Sequence, residues 1–251
     1  MLSLKIVFSS TIVIVNLFTI QIVQASDIQI KQYSNGGIYE GEFLNGKQHG
    51  KGKYTSADGY EYIGQWLEGN IEGSGTARYT DGSVYKGSFK NSKPDGTGKL
   101  VFLDGGSYDG QWRNGNFNGA GTIFYSNGDT YTGNFIDGKR SGFGELKSKD
   151  SYSYSGEWKS DEKNGEWSKY SITGKHSLKA SYYKNQLNGE YIEYFEDGKK
   201  KVEGVYKKGL KDGNWVYYST NGSQEKMQVY QYGDLIKTLT KENGEIKTIQ
   251  H

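Results

Sequence analysis

Cysteine is absent from the 251 residues, proline occurs once and histidine three times. The lack of thiols excludes a disulfide framework and any cysteine-ligated metal, and it suits an oxidising compartment. His49, His176 and His251 fall in no His-Glu-x-x-His set, and no Gly-x-Ser-x-Gly elbow is present, so the familiar metal and nucleophile signatures are missing. An excess of one charge is also lacking: 31 Lys and Arg stand against 29 Asp and Glu, a formal net charge of +2. Lys5 supplies one of those charges, and positions 1–25 hold no acid. A chain this close to neutral carries no field that calls for nucleic acid. Aliphatic residues thin out after position 25, which excludes an ordinary core of Leu, Ile and Val.

What is abundant is glycine, with 37 residues, and aromatic residues, with 22 Tyr, 10 Phe and 5 Trp. Buried apolar area must therefore come from rings, each of which hides a large surface. Tyr and Trp favour strands, while Gly marks turns and close backbone approach. One apolar stretch stands apart. Residues 6–23 follow Lys5 and lead into Val23-Gln24-Ala25, with small residues where a signal peptidase reads. Residues 1–25 are thus expected to be a signal peptide, cleaved before Ser26. The alternative is an N-terminal membrane anchor, since about 18 apolar residues is the lower limit for a span. A lipoprotein anchor is excluded, because it needs a cysteine.

The rest of the chain is periodic. Tyr39, Tyr62, Tyr85, Tyr108, Tyr131 and Tyr154 recur every 23 residues. Glycine follows two positions after each, from Gly41 to Gly156, and two further on stand Phe43, Trp66, Phe89, Trp112, Phe135 and Trp158. Gly-x-Gly pairs follow, as in Gly50/Gly52 and Gly96/Gly98. A turn glycine recurs at Gly36, Gly59, Gly82, Gly105 and Gly128, often after Asp or Asn. Register held this long identifies a repeat architecture. The motif resembles the MORN repeat over about residues 33–166. It departs at Ser92 and Asp161, which replace a turn glycine, and at Trp167, which replaces the second glycine of the pair. Beyond Gly165 the period becomes 24, with Gly165, Gly189 and Gly213 preceding Trp167, Tyr191 and Trp215. These units resemble a bacterial MORN variant sometimes labelled antitoxin-like. The expected organisation is a signal peptide over 1–25, repeats of period 23 over 26–166, variant repeats over 167–236, and a tail over 237–251 with a turn at Asn243-Gly244.

Alternation along a strand puts Tyr85, Gly87 and Phe89 on one face, with Gly96, Gly98, Leu100 and Phe102 of the next strand. Lys86, Ser88, Thr97 and Lys99 take the other face. In the first unit Glu40 and Glu42 are placed to pair with Lys51 and Lys53. Rings then lie over strands that lack side chains, a known stabilising device. Each unit contributes a hairpin that its neighbours complete. The expected fold is all-β: an elongated single-sheet stack of antiparallel β-hairpins, a MORN-type repeat solenoid of roughly 16 strands.

Other features have bland readings. The Gly-x-Gly pairs lack the spacing and following helix of a phosphate loop. Asp58, Asp81 and Asp104 read as turn residues rather than a calcium ladder, because 23 residues is not the short calcium repeat. Lys199–Lys201 and Lys207–Lys208 hint at anionic lipid, but Glu193, Glu196, Asp197 and Glu203 surround them, as on a charged strand edge. No catalytic residue, cofactor or metal is expected. The leading expectation is a secreted, periplasmic or envelope scaffold that binds a protein partner and has the capacity to form homo-oligomers. The interaction surface would be the aromatic face: Tyr39, Phe43, Tyr62, Trp66, Tyr85, Phe89, Tyr108, Trp112, Tyr131, Phe135, Tyr154 and Trp158. The alternatives are carbohydrate stacking or lipid-headgroup binding on that same face. An enzyme is the least favoured class.

Overall fold

The computed structural model describes residues 28–149, 152–242 and 245–251. The signal-peptide segment 1–25 and the Asn243-Gly244 turn lie outside the described residues. Among these residues twenty strands run from Gln29–Gln32 to Glu245–Gln250, and each pairs antiparallel with the next in one continuous meander. Glycine-rich alternation favours strands throughout, and among the described residues no helix forms. The sheet exceeds the expected 16 strands because pairing extends past the repeats at both ends. Residues 237–251, expected as a tail, largely lie in the strands Asp234–Glu242 and Glu245–Gln250. The aliphatic residues Leu235, Ile236, Leu239, Ile246 and Ile249 give those segments enough apolar character to continue the ladder.

Two connections alternate along the stack. The two-residue turns hold both central residues at positive φ, as at Asn45 (52°) and Gly46 (76°), the type I′ geometry that suits strand twist. Where the second glycine is missing, its replacement makes a bond. Ser92 Oγ accepts from the Ile71 amide at 3.0 Å, Asp161 Oδ1 from the Arg140 amide at 3.0 Å, and Asn185 Oδ1 from the Lys163 amide at 2.8 Å. Each turn is thereby tied to the preceding hairpin. In the longer loops Asp or Asn folds back on the chain, as when Asp81 Oδ1 accepts from the Ser83 amide at 2.9 Å and Asp104 Oδ1 from the Gly106 amide at 2.9 Å.

A bulge kinks each hairpin of the 23-residue units opposite the strand that carries the repeat tyrosine. In the first, second and fourth units the side chain between glycine and the large ring, Glu42, Gln65 or Gln111, caps it. Gln65 Oε1 accepts from the Ser74 amide at 2.7 Å, and Glu42 Oε1 from the Lys51 amide at 3.0 Å. The expected pairing of Glu40 and Glu42 with Lys51 and Lys53 therefore changes. Glu42 holds a backbone amide, and Lys53 Nζ meets Glu61 Oε2 at 2.6 Å on the neighbouring strand.

The core is one row of rings on a row of glycines. Gly41, Gly52, Gly64, Gly75 and Gly87 face one another across successive strands, and the row continues to Gly156. The repeat tyrosines from Tyr39 to Tyr131 lie down on this row, so that an added Cβ at Gly110 would stand 2.6 Å from the Tyr108 hydroxyl. The tyrosines are then clamped edge-on from both sides. Tyr85 meets Phe89 at 5.0 Å and Trp112 of the next unit at 4.9 Å, the T-shaped geometry that ring quadrupoles favour.

Candidate interaction surface

The aromatic row expected to meet a partner is the core instead. Tyr39, Tyr62, Tyr85, Tyr108 and Tyr131 are 0 % exposed, and Trp66, Phe89, Trp112, Phe135 and Trp158 are buried. Phe43 and Tyr154 are half-buried. The physical reason is the glycine row: rings lie flat in the space that side chains would fill, and neighbouring units seal their edges. Most tyrosine hydroxyls are consumed as well. Tyr85 donates to the Ser88 carbonyl at 2.9 Å and Tyr108 to that of Gln111 at 2.8 Å. Trp112 Nε1 donates to the Gly98 carbonyl at 2.9 Å. Burial pushes Tyr39, Tyr108 and Tyr131 up to about 12 and raises Tyr62 and Tyr85 further.

A second set of rings remains accessible on the same face, along the edge formed by the longer loops. Tyr33, Tyr60, Tyr79 and Phe102 are half-buried and Tyr125 is exposed. Strand alternation puts them on the inner side, one per unit. Tyr60 enters from the far side of its loop, in the unit where Ser56 stands at the position of Tyr33 and Tyr79. Tyr54 bridges the first two, 6.4 Å from Tyr33 and 6.5 Å from Tyr60, and Tyr60 lies 5.9 Å from Tyr79. A groove of about 270 Å³ opens here, between Tyr33, Tyr60 and Trp66, with Gln48 and Ser92 as polar lining. Gln48 Nε2 donates to the Tyr33 hydroxyl at 2.7 Å. This ladder was missed in the sequence, although its signal is there: Tyr33, Tyr79, Phe102 and Tyr125 keep the 23-residue period.

Asp58, Asp81 and Asp104 sit at the tips of the loops that carry this ladder. Each holds its own turn, which agrees with the turn reading, and among the described residues no His, Asp and Glu group is arranged to hold a metal ion. Hydrogen bonds from Ser56 and Ser83 hold the Asp58 and Asp81 carboxyls below the usual range, so both are charged near neutrality. The outer face is different in kind. Ser74, Thr76, Ser88 and Thr97 border a shallow glycine-floored trough of about 640 Å³, with Lys86 and Lys99 on its rim. In the later units Lys200 pairs with Glu203 at 2.6 Å and Lys199 with Asp197 at 3.0 Å, so that basic run is largely neutralised.

The MORN repeat profile matches residues 39–59, 62–84, 85–107, 108–130, 131–151 and 154–166. Residues 39–166 belong to the MORN repeat family. No curated protein matches the chain. Among solved structures, similar folds include the TCP domain of SAS-4 (dCPAP) from Drosophila melanogaster, in complex with a proline-rich motif of Ana2. It has 15 % identity and a TM-score of 0.41, covering 69 % of this chain and 96 % of that one. A second is the TCP10 domain of CPAP from Danio rerio, in complex with a peptide of STIL, with 16 % identity and a TM-score of 0.29, covering 81 % of this chain and 100 % of that one. Likeness of that degree says nothing about what this chain binds.

The MORN match stops at 166 for a visible reason. In each earlier unit a tyrosine covers the glycine two positions after it. At Gly156 the cover is Trp167, contributed by the next strand, and Trp215 does the same over Gly204. Beyond Gly156 the row continues in register as Trp167, Ala180, Tyr191 and Gly204, large and small residues in turn. Tyr154, released from the role of its predecessors, shares a hydrogen bond of 2.8 Å with the Tyr182 hydroxyl. Cations cover the rearranged rings. Arg140 lies 3.8 Å from the Trp158 ring centre, Lys163 4.2 Å from Tyr154, and Lys211 4.2 Å from Trp215. Burial, aided by Arg140, lowers the Lys163 pKa.

Proposed function

We propose that the chain is an exported, non-enzymatic interaction scaffold that engages a protein partner at the cell envelope or outside the cell. MORN repeats are generally protein- and membrane-interaction repeats, and their scaffolds are generally non-catalytic. The observation that carries the reading is the use made of polar and aromatic groups. Tyrosine hydroxyls, turn carboxyls and bulge-capping amides are bonded within the sheet, while a ladder of half-exposed rings remains on one edge. That is the economy of a docking surface, with rigid amphipathic rings held on a pre-formed frame. The buried row offers nothing for a sugar or headgroup to stack on, so the alternative modes lose their main support. Residues 167–236 we read as variant MORN units, similar to the bacterial antitoxin-like form. Export rests on the apolar segment before Ser26. N-terminal sequencing of the protein from the envelope or medium should begin at or near Ser26. Cross-linking in the source cells should yield a stoichiometric protein adduct. A chain that keeps Met1 and sits integrally in the membrane removes the secreted reading, and the absence of any adduct removes the scaffold reading.

A further inference from the structure

The two end strands of the sheet fit each other. Twenty strands make an even number, so the first and the last run in opposite directions. A second copy placed beyond the last strand would therefore continue the antiparallel meander with its own first strand, inner face to inner face. Neither end strand holds a proline or a bulge to prevent this. The charges on them are few: Lys31 on Gln29–Gln32, and Glu245 and Lys247 on Glu245–Gln250.

The backbone phase also agrees. The Tyr33 amide donates to the Gly37 carbonyl at 2.8 Å. Lys31 and Gln29, at alternate positions, thus turn their backbone groups inward, and Ile30 and Gln32 turn theirs to the open edge. At the other end the His251 amide donates to the Ile236 carbonyl at 3.0 Å. Ile249, Lys247 and Glu245 thus face the preceding strand, and Ile246, Thr248 and Gln250 face the open edge. The sides of the sheet can be read from the pairing. Lys31 lies opposite Tyr39 on the ring side, its Nζ 5.3 Å from the Tyr33 ring centre, and Ile30 lies opposite Glu40 on the outer side. Ile249 lies opposite Thr238, which is in register with Gln228 and Trp215. Ile249, Lys247 and Glu245 are therefore on the ring side, and Ile246 and Thr248 on the outer side.

We propose that copies of this chain join head to tail, the strand Gln29–Gln32 of one pairing antiparallel with Glu245–Gln250 of the next, in an open filament. One register satisfies backbone phase, face and charge together. It sets Ile30 opposite Ile246 as a hydrogen-bonded pair, both more than two-thirds exposed in the single chain at 73 % and 71 %. It sets Lys31 opposite Glu245 as a non-hydrogen-bonded pair, the kind whose side chains come closest. Sliding by two residues opposes Lys31 to Lys247, and sliding by four opposes it to Ile249. Two Glu245–Gln250 strands paired about a twofold axis would close at two copies. Centred on Lys247 that pairing opposes two lysines, and centred on Ile246 it overlaps only Glu245, Ile246 and Lys247. The head-to-tail contact has no such closure, so it repeats. It is a small contact, so the association is weak and reversible. The inference goes beyond the scaffold reading: the partner proposed there is a different protein, and this one is a second copy.

The test is sedimentation velocity on the whole exported chain from about 10 μM to about 1 mM at low salt. The parent should pass through dimer to larger species as concentration rises. Lys31→Glu sets two acids opposite each other, and Glu245→Lys sets two lysines, so each variant alone should need about tenfold more protein to associate. An equimolar mixture of the two variants should recover the parent's association, because each end of one then meets its complement on the other. The double variant Lys31→Glu/Glu245→Lys should recover it within a single chain. Far-UV spectra establish that each chain is folded. If Lys31→Glu fails to fold, Glu245→Lys decides: association equal to the parent's overturns the proposal. So does a mass that stops at two copies, which would give the contact to a twofold pair. A mixture no better than either variant alone, or a parent that stays monomeric at about 1 mM, overturns it as well. Failure here with a cross-linked protein partner in cells leaves the scaffold reading standing.

Discussion

Gly110 and Asp109 are adjacent in the chain and face opposite sides of the sheet. An added Cβ at Gly110 would stand 2.6 Å from the Gly121 Cα and 2.7 Å from the Ala120 carbonyl oxygen, both backbone atoms that cannot swing aside. Gly110→Val should therefore cost about 3 kcal/mol, at the upper end of overpacking. Asp109→Ala, on the exposed face, should stay within about 0.5 kcal/mol. Urea melts compare the two, and equal losses would refute the face assignment. A second pair concerns tyrosine hydroxyls. Tyr85 donates to a carbonyl at 2.9 Å, whereas the buried Tyr131 hydroxyl has no partner among the described residues. Tyr85→Phe should cost about 1 kcal/mol, and Tyr131→Phe should be neutral or stabilising, since it removes an unpaired polar atom. The glycine row was legible because period 23 puts Gly41 and Gly52 in equivalent places in every unit. The fate of each hydroxyl was not, because it depends on which carbonyl the fold brings within reach.

Hairpins are joined to one another through their turns. At Ser92 two opposed effects meet. A φ of 61° strains a non-glycine residue, while Oγ accepts from the Ile71 amide. Ser92→Gly relieves the first and loses the second, each about 1 kcal/mol, so the net change should be small. Ser92→Ala keeps the strain and loses the bond, and should cost about 1–2 kcal/mol. Thermal melts that rank the alanine variant no worse than the glycine variant would show that the turn bond carries no weight. From sequence, Ser92 and Asp161 were departures from the motif. The tertiary structure makes them compensated departures, because the lost glycine is replaced by an acceptor for the preceding unit. Trp167 is a departure of the same kind: it assumes the covering role that a tyrosine has in each earlier unit.

For the whole molecule, the tyrosine row couples stability to alkaline pH. Tyr39, Tyr60, Tyr108 and Tyr131 are raised to about 12 by burial, against an ordinary value of about 10. Below pH 10 both folded and unfolded chains keep these protons, and the stabilisation is fully present. Between about 10 and 12 the unfolded chain ionises first, so stability falls as pH rises. Tyrosinate absorbance should therefore appear cooperatively in that window, together with loss of the strand spectrum. Independent titration near 10 with the fold intact would contradict the burial. The two end strands of the sheet carry Ile30, Ile246 and Ile249, with Ile28 just before the first, all exposed, and each has one edge unpaired among the described residues. Light scattering should show concentration-dependent association, and Ile30→Lys should reduce it. Mass that is independent of concentration in both chains would mean the edges do not self-pair. A chelator should leave the melt unchanged.

By itself the sequence determined the repeat, its period, the strand alternation, the turn positions and the all-β class, because each follows from local periodicity and backbone preference. It also marked residue 167 as the point where the motif changes. Only the tertiary structure decided which rings are core and which are surface. Tyr85 and Tyr79 are chemically alike and six residues apart, yet one lies flat on glycine and the other stands beside a loop. What separates them is whether the facing strand has a side chain at that point and whether the next unit closes over it, and both depend on register between strands rather than on order along the chain.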